Sequence, residues 1–181
     1  MAQNGIDLRS VNFGKYSKEH STLARRTRAL VAGAVPFWQR DGLLQRKSTH
    51  FAVVAKIFPV SNLGAIRDFL QYDPDVAFDF AYCSGSTRVA TNALCMVHAT
   101  IRAGRSTLNM NLEEFQDVVA VDEHSIVHTW GELPLGGAVI IQDDDTYFVV
   151  GVYGFLPWQN HWLAETLARF MALDRKHVSS R

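Results

Sequence analysis

The sequence predicts an α+β fold: a mainly antiparallel five-stranded sheet with helices packed on it. Three observations predict it. Several short runs rich in β-formers are joined by short turns, as antiparallel strands are. Two longer segments, near residues 17–37 and 159–173, carry apolar residues at helical spacing. The chain has 181 residues, 48% of them hydrophobic and 20% charged, which suits one domain with a core of its own.

Residues 1–16 are polar and irregular, with Gly5 and Gly14, and read as a flexible arm before a single domain over 17–175. Ser17 to Phe37 reads as a helix, with Leu23, Ala24, Leu30, Val31 and Ala34 on one face and Arg25, Arg26 and Arg28 mostly on the other. His50 to Phe58 reads as a strand. Pro59 and the stretch Ser61-Asn62-Leu63-Gly64 form a turn, and Ala65 to Tyr72 is expected to return as a second strand, making a hairpin. Asp73-Pro74-Asp75 signals a helix start, so residues 75–102 are expected to be mostly helical, with a break at Ser84-Gly85-Ser86. Asn111 to Val118 reads as a short amphipathic helix.

The last third alternates. Ser125 to Trp130, Leu135 to Gln142 and Thr146 to Tyr153 read as strands, and Gln159 to Leu173 as a closing helix with Trp162, Leu163, Leu167, Phe170 and Met171 on its apolar stripe. Asp143-Asp144-Asp145 lacks the length, glycine and terminal glutamate of a calcium loop and reads as a hairpin turn. From Asp174 the chain is charged, and residues 176–181 are expected to fray. The resulting order, α-β-β-α-α-β-β-β-α, is that of a profilin-like sandwich.

Basic and acidic residues number 18 each, so the formal net charge is zero. This gives no general pull toward nucleic acid or an anionic membrane, and little charge repulsion against a homo-oligomer. The first ten residues have no apolar core of a signal peptide, and no run approaches the ~18 apolar residues of a membrane span, so the cytoplasm is the default location. Cys83 and Cys95 fall in the segment read as helical and lack zinc-site spacing; two free thiols are expected.

No P-loop, dinucleotide fingerprint, nucleophile elbow or metalloprotease helix is present. Cys83-Ser84-Gly85-Ser86 offers nucleophilic groups without a base at readable spacing. His124 and His128 share a strand face, but at ~3.3 Å per residue they stand about 13 Å apart, too far for one ion. His98 sits in the central helix near Cys95 and Arg102; His161 sits at the start of the closing helix, a place that favours ligand groups. Tyr153, Phe155, Trp158 and Trp162 gather at the same junction and could wall a flat ligand or an oligomer contact.

Three stretches in this region form a pattern: Gly136-Gly137-Ala138-Val139-Ile140-Ile141-Gln142, Val150-Gly151-Val152-Tyr153-Gly154, and Leu156-Pro157-Trp158-Gln159-Asn160-His161 leading into Leu163-Ala164-Glu165. The pattern resembles the haem-degrading, GlcG-like domain family, the broad group of the haem-binding HbpS-type proteins. Upstream, Phe51-Ala52-Val53-Val54 is similar to that family's first strand, and Arg88-Val89-Ala90-Thr91-Asn92-Ala93 to its Lys-Ala-x-Thr-Ala helix. The chain departs from the family at Ala55 and Asn160, where acids are usual, at Arg88 for lysine and at Tyr153 for serine.

The resemblance implies an oligomeric, non-catalytic small-molecule binding or sensor protein, with haem, a related tetrapyrrole or a small organic acid as ligand. Its pocket would lie between the central helix and the end of the last strand. Arg88 would pair with an anion and Thr91 would lie beside it. Tyr153 and Trp158 would be stacking walls, and His98 or His161 an axial or polar ligand. Two other classes stay open: an enzyme using a histidine as acid or base, and an interaction scaffold binding proteins through its N-terminal arm.

Overall fold

A computed structural model describes residues 18–45, 50–72, 79–84, 87–110 and 137–179. In chain order its elements are α1 (Lys18–Arg40), β1 (Phe51–Pro59), α2 (Leu63–Tyr72), β2 (Phe80–Ser84), α3 (Thr87–Ala103), β3 (Ala138–Asp143), β4 (Thr146–Tyr153) and α4 (Pro157–Ser179). Single 3-10 turns stand at Val60–Asn62 and Thr107–Asn109. The described strands form one sheet in the order β2-β1-β4-β3, antiparallel at every step. The fold is therefore α+β with an antiparallel sheet, as the sequence predicts.

The order of elements differs from expectation; the described residues hold four strands, and the expected strand at 125–130 lies outside them. Residues 63–72 form α2, so there is no hairpin over 51–72. The apolar run there is short enough to read either way, and Leu63 and Ile66, three apart, pack together on the group under α3 as a helix allows. Conversely, residues 80–84, expected to be helical, form β2 and pair with β1. Cys83 is thus a strand residue. The expected N-terminal arm (1–16), the helix at 111–118 and the strand at 125–130 lie outside the described residues. The element order consequently departs from the profilin-like one. The closing helix continues past Leu173 to Ser179, where Arg26 pairs with Asp174 and Lys176 Nζ lies 2.8 Å from Asp143.

Alternation along the strands builds two cores, one on each face. Phe51, Val53, Ala55 and Ile57 of β1 join Phe148, Val150 and Val152 of β4 under α1 and α4. The intervening Ala52, Val54 and Phe58, with Val149, lie under α3 against Val89, Ala90, Ala93, Leu94, Val97 and Ile101. The register places like with like: Val53 opposite Val152 and Ala55 opposite Val150. Gly151 lets α3 come close. A Cβ there would stand 2.5 Å from the Ala93 carbonyl oxygen and 2.8 Å from Val97.

Among the described residues, the outer edge of β3 is met by side chains. The Ala138 N–H donates to Thr107 Oγ1 (3.0 Å), and the Ile140 N–H to Ser106 Oγ (3.4 Å). The β3–β4 turn is the Asp triplet, with Asp144 at φ +51°. α4 sets cations against it, Lys176 on Asp143 and Asp144 and Arg175 3.7 Å from Asp145, which offsets the crowding of like charges. Among the described residues no cluster of three or more His, Cys, Asp or Glu could hold a metal, and no helix is long and apolar enough to cross a membrane.

Candidate functional site

β4 ends at Tyr153 and the chain enters α4 within four residues, a turn held by two buried side-chain amides. The Phe155 N–H donates to Asn160 Oδ1 (3.0 Å), and Asn160 Nδ2 donates back to the Phe155 carbonyl (3.1 Å). Gln159 reaches the other way. Its Nε2 donates to the Leu43 carbonyl (3.1 Å) and its Oε1 accepts the Gln45 N–H (2.9 Å), tying α4 to the segment after α1. Both amides are essentially unexposed, so each bond replaces one that water would otherwise supply.

At Gly137, entering β3, the two helix layers meet. Its φ is +140°, a region that favours glycine, and a Cβ there would fall 2.6 Å from the Val152 carbonyl, 2.8 Å from Met96 Sδ of α3 and 3.3 Å from Asn160 Cβ of α4. The helices of opposite sheet faces are therefore neighbours at this one end of the sheet. Tyr153 lies at that end on the α3 side, packed against Met96, Ala99, Met110 and Ala138.

Two buried polar atoms near the junction have no hydrogen-bond partner among the described residues: Asn92 Oδ1, one turn before Met96, and His161 Nδ1, next to Asn160. An orphaned buried acceptor or donor is costly, so each such atom calls for a partner that water or a bound group can supply. Burial pushes His161 below its ordinary pKa, against the opposing pull of Glu165 one turn on, which favours a neutral imidazole at neutral pH.

The sequence-predicted residues distribute over both layers. Arg88 and Thr91 stand in the first turns of α3, with side chains outside the described set. His98 is on the same helix. Burial first, and the Arg102 charge one turn on second, push its pKa down to about 4. Cys95, one turn earlier, is pushed up to about 12 by burial, and Cys83 is also raised, so neither thiol is activated, and neither is in a disulfide. Tyr153 faces α3. His161 and Trp158 belong to α4, in the second and first turns, and Trp158 is 60% exposed. Tyr153 and His98 thus share the α3 side, Trp158 and His161 the α4 side, and the Gly137 junction is where the sides adjoin.

Sequence reasoning passed over Asn92, Met96, Gln159 and Asn160 as site-forming residues. Asn160, an amide where the resembled pattern usually carries an acid, was the one available signal. Comparison with protein-family models, with curated proteins and with solved structures returned no match, so any functional reading rests on this chain's own residues.

Proposed function

We propose that the chain is a non-catalytic binding or sensor protein for a small molecule, a tetrapyrrole such as haem or a small organic acid, held at the Gly137 junction as in a diverged GlcG-like domain. The observation that carries this reading is the pair of buried polar atoms without partners among the described residues, Asn92 Oδ1 on α3 and His161 Nδ1 on α4, each within one turn of a residue packed on Gly137. A neutral imidazole with a nitrogen to offer suits a haem iron and suits a hydrogen-bonding acid equally. Tyr153 would be the wall on the α3 side, and Trp158 the exposed lip. Arg88 and Thr91, which open α3, would meet an anionic group of the ligand.

The low pKa of His98 favours binding over acid–base catalysis. A histidine at about 4 holds no proton to give near pH 7, and an acid or base is most effective with a pKa near the working pH. The test is an absorption titration of the purified chain with haemin through the Soret region, alongside His161→Ala and His98→Ala. The expected result is a saturable, stoichiometric shift, weakened on the order of tenfold in His161→Ala at an unchanged melting temperature. A shift that both variants leave untouched removes the histidine assignment. No saturable shift removes the tetrapyrrole, leaving small organic acids to be screened by ligand-induced stabilisation.

A further inference from the structure

The outer face of α1 carries an exposed ridge that the ligand reading does not use. Residues four apart line up along a helix, and Arg25, Ala29, Gly33, Phe37 and Asp41 form one such row. All five are exposed, Phe37 by 49%. Asp41 continues the row although it follows the last helical residue, because its N–H still donates to the Phe37 carbonyl at 3.0 Å. Beside the row, Ala32 and Pro36 are also exposed. A Cβ built on Gly33 meets nothing within 4 Å, so the middle of the ridge is a low saddle.

We propose that this ridge is a self-complementary contact, through which two copies of the chain pair with their α1 helices antiparallel and crossing at Gly33. The row reads basic, small, glycine, aromatic, acidic. Turned about a two-fold axis through Gly33, Arg25 of each copy falls opposite Asp41 of the other, and Phe37 falls opposite the small Ala29. A two-fold contact requires this matching of a patch with itself. Arg40, which lies over the Phe37 ring at 5.0 Å, would come opposite Arg26, whose charge is already met by Asp174 in its own copy.

The charges also select the crossing angle. Arg25 and Asp41 lie eight residues either side of Gly33, about 12 Å along the axis at ~1.5 Å per residue. At a ~20° crossing their lateral offset is about 4 Å, within reach of an arginine; at ~50° it is about 10 Å, which is not. The ridge is ~24 Å long on a helix ~10 Å wide, a projected contact of roughly 250 Å² per copy against the ~800 Å² of a standard interface. The exposed Leu43 and the half-exposed Trp162, which stacks edge-on against Trp38 at 5.4 Å, extend the apolar surface beside it. A weak dimer follows, with a dissociation constant on the order of 10 μM. The zero net charge leaves little general repulsion to oppose it.

Sedimentation velocity of the full chain from about 1 to 200 μM, bracketing the expected midpoint, tests the pairing. The wild type should pass from monomer to dimer across this range. Gly33→Gln fills the saddle without touching the monomer's interior, and should remain monomeric with an undiminished melting temperature. Arg25→Asp should weaken the dimer at least tenfold, and the double variant Arg25→Asp/Asp41→Arg should restore it. A wild type that stays monomeric throughout overturns the proposal and leaves the ridge for a partner of another kind. A dimer indifferent to Gly33→Gln, or a double variant that does not recover, overturns it in favour of a different surface. Haemin binding plays no part in these outcomes, so the two proposals fail separately.

Discussion

The two faces of the sheet are covered by opposite strategies. Under α3 small groups gather at the crossing, with Ala52, Ala90, Ala93 and Gly151 set among Val54, Leu94, Val97 and Val149. One helix can then sit almost on the strand backbone. Under α1 and α4 the groups are large, with Phe51, Phe148, Phe155, Leu23, Leu163, Leu167 and Met171 filling the layer, and two antiparallel helices are needed to span it. The difference shows where each face is vulnerable. The close face cannot absorb added volume, because the neighbour in the way is backbone. The thick face has volume to rearrange, but its helices stand farther off and must be located by specific bonds, which Gln159 and Asn160 supply.

Adding a side chain at the tightest point should break this comparison most severely. Gly151→Val places its Cβ against the Ala93 carbonyl and should cost about 3 kcal/mol or more, because a helix backbone, not a flexible side chain, has to move. Urea unfolding checks it: a loss below about 1 kcal/mol would mean that α3 rides more loosely than the geometry implies. Removing a bond on the thick face should be the next largest effect. Asn160→Ala leaves the Phe155 N–H and carbonyl buried and unbonded, for a loss of about 2 kcal/mol. An unchanged melting temperature would show that the turn is held by packing alone.

The smallest effect sharpens the contrast electrostatically. The pKa of His98 on α3 is about 4 in the folded state against 6.5 for a free histidine, so as pH falls the unfolded chain takes up the proton first. The stability this group contributes is full above pH 6.5 and lost as pH falls toward 4. On the order of 1–2 kcal/mol should disappear over that window, at ~1.4 kcal/mol per pKa unit for a shift taken as an upper bound. Denaturation midpoints measured from pH 7 to pH 4 should show the slope, and His98→Gln should flatten it. An equal slope in the variant would assign the loss to other groups.

Elements with a local signature were legible before the structure. The hairpin of β3 and β4 was one, since apolar β-forming runs on either side of an Asp turn need no distant partner to be recognised. The long helices α1 and α4 were others, through apolar residues three and four apart. The candidate site was legible only as a place, the junction after Tyr153. The orphaned Asn92 and the amide locks were not, because whether a polar side chain is satisfied depends on groups remote in the chain, such as Leu43 for Gln159.

The α+β class, the antiparallel sense of the sheet and helices over about residues 17–37 and 159–173 were determined by the sequence alone, through short β-forming runs joined by turns and apolar residues three and four apart. Tertiary structure decided the rest. Residues 63–72 and 80–84 are brief apolar runs compatible with either state. The second became a strand because β1 offered it a free edge, and the first became a helix because Leu63 and Ile66 found the group under α3. Which sheet face each histidine serves was likewise settled by packing, since a strand or helix orders its own side chains but not the side on which its neighbours lie.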